Sequence, residues 1–261
     1  MNMNAQRMIS MILAAMVAGM LFFSACHTGY SLASFEGGRL EVTAALDAHP
    51  DSAALAVLAP YQRTVDSIMS PVIGQSVQTL DRFRPESPLS NLVADILRTS
   101  TSRYVGREAD VAVTNMGGLR TALPEGNITY GNIYEITPFE NTLCIVSMKG
   151  TLLRHLFENI ASAKGEGLSG ARLVITSAGE LVQATVGGHP IVEDREYLVA
   201  TLDYLAEGND RMTAFLEVPE SEKLYPQGAT VRQLFLDYVN EQTKAGRKIH
   251  AQVEGRIQVT E

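Results

Sequence analysis

Residues 109–114, Ala-Asp-Val-Ala-Val-Thr, are a short run rich in small and β-branched apolar side chains. Directly behind them stands Asn115-Met116-Gly117-Gly118-Leu119-Arg120. A run of that length and composition, closed by a glycine turn, predicts a buried strand. A buried strand needs other elements packed over it, so this stretch restricts the chain to a layered fold with an internal sheet. The two adjacent glycines admit φ > 0 and let another group approach closely. Asn115 and Arg120 flank the turn, so an amide and a guanidinium project from one strand-end loop. Such loops commonly hold small anionic ligands. By itself the motif is equally a structural turn with a surface arginine.

The flanking chain supplies the layers. Asp51-Ser52 caps a predicted helix running to about Met69, with Leu55, Leu58, Ala59, Tyr61, Val65 and Ile68 as a broad apolar face. Pro60 lies inside it and predicts a kink or a division. Strands are expected at Arg39–Ala45 and at Val72–Leu80. Ser87-Pro88 opens a helix whose stripe is Leu89, Leu92, Val93, Ile96 and Leu97. Further on come a short helix at Tyr130–Ile136, a strand at Thr142–Met148 and a helix at Thr151–Ser162. Strands near Ala171–Ser177, Leu181–Val186 and Tyr197–Leu202 follow, the last expected to be central. A helix at Thr230–Thr243 and a strand at Gly255–Val259 close the chain. Interleaved strands and helices with short connections predict one mixed α/β domain over residues 72–261. Residues 26–71 are read as a tether and helical arm.

Residues 1–25 resemble an export signal. One positive charge, Arg7, precedes a nearly uninterrupted apolar run from Met8 to Phe23, and Ser24-Ala25-Cys26 follows. Small residues directly before a cysteine resemble a bacterial lipoprotein signal, in which Cys26 carries the lipid and anchors the chain to a cell-envelope membrane. An ordinary secretory signal and a membrane-spanning helix are the alternatives. With Cys26 lipidated, Cys144 is the one cysteine remaining of two, which leaves no disulfide within the chain. Cys144 lies in an apolar strand, where a buried, inert thiol is expected. Removing the signal takes away only Arg7, moving the formal charge from −8 to −9. That balance argues against a nucleic-acid polymer as partner, while a mononucleotide held by a few arginines stays compatible.

Four short segments stand in order: Arg82-Phe83-Arg84, Asn115-Met116-Gly117-Gly118-Leu119-Arg120, Thr137-Pro138-Phe139 and Tyr204-Leu205-Ala206-Glu207-Gly208-Asn209-Asp210. Together with the Ser87-Pro88-Leu89-Ser90-Asn91-Leu92 helix start, they resemble the C-terminal, substrate-binding domain of the 5′-nucleotidase family. The resemblance spans about Val72 to Val259. It implies that Phe139 and Tyr204 cover the two faces of a base and that Asp210 bonds the ribose hydroxyls. It also implies that Arg82 and Arg120 contact ribose and the nearest phosphate, that Asn115 contacts the base, and that Gly117 and Gly118 shape the turn. These residue types suit those tasks. Stacking on an aromatic ring is worth about 1–3 kcal/mol per base, a carboxylate accepts two hydroxyl hydrogen bonds, and the arginine fork matches phosphate oxygens. The chain departs from the family pattern at Met116, where a third glycine is common, and at Tyr204, where phenylalanine is common. Glu207-Gly208-Asn209-Asp210 likewise replaces an Asn-Gly-Gly-Asp type turn.

In the family, a separate N-terminal metallophosphoesterase domain holds two metal ions and performs the hydrolysis. Its ligands come from motifs such as Asp-x-His, Gly-Asp-x-x-Asp, Gly-Asn-His-Glu and Gly-His-x-His, and this chain is read as lacking them. His155, beside Leu152, Leu153 and Leu156, is read as a structural histidine. Gly167-Leu168-Ser169-Gly170-Ala171 lacks the closing glycine of a nucleophile elbow and is read as a strand-entry loop. No catalytic or metal-binding residue is therefore expected. The implied function is the nucleoside- or nucleotide-binding half of a split 5′-nucleotidase, with divalent metal ions only in a separate metallophosphoesterase partner. A non-catalytic binding lipoprotein and an interaction domain with a lapsed pocket are the competing readings.

Overall fold

The computed structural model describes residues 7–16, 32, 34 and 36–261. Cys26 and most of the expected signal lie outside the described residues. The chain divides into two compact units, Met1–Leu55 and Ala56–Glu261, whereas the sequence reading ends its arm at residue 71. In the first unit residues 7–16 are helical and Ala44–Ala48 is a 3-10 helix. The strand expected over Arg39–Ala45 does not form. The Leu46 amide donates to the Thr43 carbonyl at 3.0 Å instead, a local bond available to a segment with no strand beside it among the described residues. Among the described residues no helix is long and apolar enough to cross a membrane.

Five helices carry labels below: α1 (Ser52–Met69), α2 (Pro88–Ser100), α3 (Tyr130–Ile136), α4 (Gly150–Ser162) and α5 (Val231–Lys244). Asp51 caps α1, its Oδ1 accepting from the amides of Ala53 and Ala54 at 2.8 and 3.1 Å. Pro60 does not divide α1. Every side chain of that helix is at least partly exposed, so the carbonyl that proline leaves without a partner is open to water. Helix α2 starts where a serine box forms: Ser87 Oγ accepts from the Ser90 amide at 3.2 Å, and Ser90 Oγ accepts from the Ser87 amide at 3.2 Å. Its stripe of Leu89, Leu92, Val93, Ile96 and Leu97 is buried, each side chain contributing about 1.5–3 kcal/mol.

The strands in chain order are β1 (Val72–Ser76), β2 (Val111–Thr114), β3 (Gly126–Thr129), β4 (Leu143–Lys149), β5 (Gly167–Ser169), β6 (Ala171–Thr176), β7 (Leu181–Val186), β8 (His189–Pro190), β9 (Glu196–Leu202), β10 (Lys223–Leu224) and β11 (Ile257–Thr260). They form a mixed five-stranded sheet of order β10-β4-β9-β2-β5, a four-stranded sheet of order β11-β6-β7-β8, and the antiparallel pair β1-β3. All four residues of β2 are buried. Helix α2 packs on β2 and β5, and α4 packs against strands of both larger sheets. This is the expected mixed α/β layering, with β9 central as anticipated.

One consequence of register positions the site. Strands β2 and β9 are parallel neighbours, so both end at the same edge of the sheet. Strand β4 is antiparallel to β9, with Leu143 opposite Leu202, and so begins at that edge. The segments following β2 and β9 and the one preceding β4 must therefore meet there. These are the Asn115 turn, the Tyr204 turn and the Phe139 loop.

Candidate nucleotide-binding site

A cavity of about 380 Å³ at this edge is lined by Asn115, Gly117, Gly118, Arg120, Phe139, Asn141, Tyr204 and Asp210. Its size lies within the range of small-molecule sites. Seven of the eight residues singled out from the sequence thus surround one space. Arg82 does not: it is exposed, lies outside the lining, and uses its backbone amide on Asp81 Oδ1 at 2.7 Å. Asn141 was missed. It stands two residues past Phe139 in the loop entering β4, and no local pattern distinguishes it from any polar loop residue.

Asn115 is the hub. It is buried, and its Nδ2 donates to Asp210 Oδ2 at 2.6 Å. Its Oδ1 is buried without a hydrogen-bond partner, a state that costs about 1–3 kcal/mol until a donor arrives. Neither Gly117 nor Gly118 has positive φ, so left-handed backbone is not what requires glycine in this turn. Close approach requires it, and only at Gly118: a Cβ there would stand 2.8 Å from Asn115 Oδ1, whereas one on Gly117 would meet nothing nearer than 3.9 Å. The turn also leans on Glu166, whose carboxylate accepts the Met116 amide at 2.5 Å.

Tyr204 lies in the single helical turn Asp203–Ala206 behind β9. Its hydroxyl, the atom by which it departs from the family's phenylalanine, donates to Asp210 Oδ1 at 3.2 Å. Burial and the adjacent Asp210 charge hold its phenol above the ordinary value, so it stays a donor at neutral pH. Asp210 is thereby aimed by two pocket residues, Asn115 and Tyr204, on a backbone held at φ 51°. Each carboxylate oxygen retains a lone pair for a ligand hydroxyl. Phe139 is 49% exposed and Tyr204 is 37% exposed, leaving two aromatic surfaces open in one cavity. The Arg120 guanidinium stands 6.0 Å from the Phe139 ring centroid and donates to the Gly117 carbonyl at 3.1 Å.

Elsewhere a larger, more open groove of about 470 Å³ is lined by Lys149, His155, Glu196, Glu217 and neighbours. It presents no Phe, Tyr or Trp ring, and its His155 is a surface residue with Nδ1 2.7 Å from Glu217. That histidine has a partner, but outside the core. The absence of ligand motifs needs one correction, because Asp47-Ala48-His49 does have the Asp-x-His spacing. Both side chains are exposed in the first unit, and no group of three or more potential metal ligands occurs among the described residues.

A family profile described as 5′-nucleotidase, C-terminal domain, matches residues 70–217. Among curated proteins, a cell wall protein of Listeria monocytogenes, Lmo0130, is 32% identical over 187 residues, covering 66% of this chain and 23% of its own length. Among solved structures, the 5′-nucleotidase precursor from Thermus thermophilus superimposes with a TM-score of 0.69 at 29% identity, over 82% of this chain and 44% of the other. The Haemophilus influenzae NAD nucleotidase shares the fold, with a TM-score of 0.61 at 20% identity, over 80% of this chain and 41% of the other. The chain spans less than half the length of each of these relatives. A profile matching more than half of the chain, and a fold shared with solved nucleotidases, place this protein in the 5′-nucleotidase C-terminal domain family.

Proposed function

We propose that this chain is the nucleoside- and nucleotide-binding half of a split 5′-nucleotidase, with a separate metallophosphoesterase supplying the divalent metals and the hydrolysis. The observation that carries the reading is the strand-end cavity, where two open aromatic rings, an aimed carboxylate and the Asn115 amide line one space. A flat base offers π-faces to the rings and a polar edge to the Asn115 side. Ribose offers a diol to Asp210. A small apolar metabolite would leave both polar groups unanswered. The Ser24-Ala25-Cys26 sequence and the likeness to a protein named for the cell wall support export and lipid anchoring through Cys26.

Calorimetry with nucleosides tests the binding half. Phe139→Ala and Tyr204→Ala are each expected to weaken binding by about 1–3 kcal/mol. Affinity unchanged after removal of both rings would sink the site. Phosphate release tests the other half: none is expected from this chain alone with manganese or zinc, and turnover is expected when a candidate metallophosphoesterase is added.

A further inference from the structure

Two departures from the family pattern stand on one loop, and the structure joins them. Tyr204 replaces the common phenylalanine, and Asn209 stands where the turn commonly has its second glycine. Asn209 Nδ2 donates to the Tyr204 carbonyl at 2.9 Å. The Gly208 amide donates to the Leu205 carbonyl, also at 2.9 Å. At the far end of the Tyr204 side chain, the hydroxyl donates to Asp210 Oδ1 at 3.2 Å. The loop therefore closes on its own last residue, and the closing bond is one that phenylalanine has no atom to make. Asp210 Oδ2 is held separately, by Asn115 Nδ2 at 2.6 Å from the turn behind β2.

A carboxylate turns easily about its Cβ–Cγ bond, because that torsion has only broad minima. Gripped at one oxygen, Asp210 could still swivel about the Asn115 contact. Gripped at both, it holds one open acceptor direction fixed on each oxygen, since a carboxylate has about four and the protein fills two. A vicinal diol brings two hydroxyl donors, which matches what is left. A sugar lacking one hydroxyl leaves a fixed acceptor unanswered, and a site built on hydrogen bonds rejects such analogues most strongly. We propose that the Tyr204 hydroxyl is a specificity-determining group that, braced by Asn209, locks Asp210 for a vicinal diol and so selects ribose over deoxyribose. This rests on the nucleoside reading of the cavity.

Calorimetry on the full chain compares adenosine, guanosine, cytidine and uridine with their 2′-deoxy counterparts, in wild type, Tyr204→Phe and Asn209→Ala. Wild type is expected to prefer the ribonucleoside by roughly tenfold or more. Tyr204→Phe keeps the ring and is expected to reduce that preference about three- to tenfold, with the deoxynucleoside affinity within about twofold of wild type. Asn209→Ala leaves the hydroxyl and removes its brace, so it should move the ratio the same way by a smaller factor. It decides the matter if Tyr204→Phe does not fold. A loss of stacking or of loop structure would weaken both sugars alike and leave the ratio unmoved. An unmoved ratio, or a wild type that binds both sugars equally, overturns the proposal and leaves the nucleoside reading intact. A wild type that binds none of these ligands rejects that reading and the proposal with it.

Discussion

Glu86 permits a prediction worked from individual hydrogen bonds. Its side chain is 3% exposed and sits between the arginine segment and α2. Oε1 accepts from Asn91 Nδ2 at 2.6 Å and from the Glu254 amide at 2.7 Å. Oε2 accepts from the amides of Arg256 and Ile257 at 2.7 and 3.3 Å. One buried carboxylate thus ties the entry of α2 to the last strand, β11. Glu86→Gln keeps the shape and replaces one acceptor oxygen by a donor NH2. Whichever way the amide turns, two N–H groups lose their acceptor and face another donor. At about 1–3 kcal/mol for each unsatisfied buried group, and with the weaker 3.3 Å contact discounted, the loss is about 2–4 kcal/mol. For a domain of this size that lowers Tm by about 5–15 °C. Urea titration followed by circular dichroism reads the loss as a lower midpoint at an unchanged slope. A change below about 0.5 kcal/mol, the scatter of an ordinary surface substitution, would refute the view that these four donors depend on the carboxylate.

Gly118→Ala places a Cβ 2.8 Å from Asn115 Oδ1 and should turn that side chain off Asp210, weakening nucleoside binding about tenfold in calorimetry. Gly117→Ala meets nothing close and should bind as wild type; equal losses would refute the distinction. Burial raises the Glu166 carboxyl above its ordinary value of 4.5, against the lowering influence of the Met116 amide and Arg84. The folded protein therefore holds that proton more tightly than the unfolded chain. The group's contribution is fully present below the ordinary value and is lost as pH rises through the raised one. Wild type should thus lose stability relative to Glu166→Gln as pH rises from 4.5 through the raised value, and a relative gain in urea midpoints would reverse the sign. Burial pushes the Cys144 thiol up to about 12. It should resist iodoacetamide at mildly alkaline pH in the native protein and react on unfolding in urea, whereas prompt native labelling would show the strand opening.

Some of this structure was legible in the sequence because it is encoded locally. Ser87, Pro88 and the apolar stripe behind them specify α2 through bonds and contacts spanning three or four residues. Thr129 and Asn132 likewise cap α3 within one turn. Where a partner from elsewhere in the chain decides, sequence reading stopped short. Gly167–Ser169 looked like a loop and is strand β5, because β2 offers it an edge to pair with. Arg39–Ala45 was expected to be a strand and is not one, because no strand pairs with it among the described residues. The ordered motifs named most of the residues that line the cavity, but not how they are held. The bond from Asn115 to Asp210 joins residues 95 apart in the chain. It exists because β2 and β9 end at the same sheet edge. The entry of Asn141 and the displacement of Arg82 were likewise decided by tertiary structure. Capping and periodicity are properties of neighbours in sequence, whereas the membership of a shared cavity depends on strand register and loop conformation far along the chain.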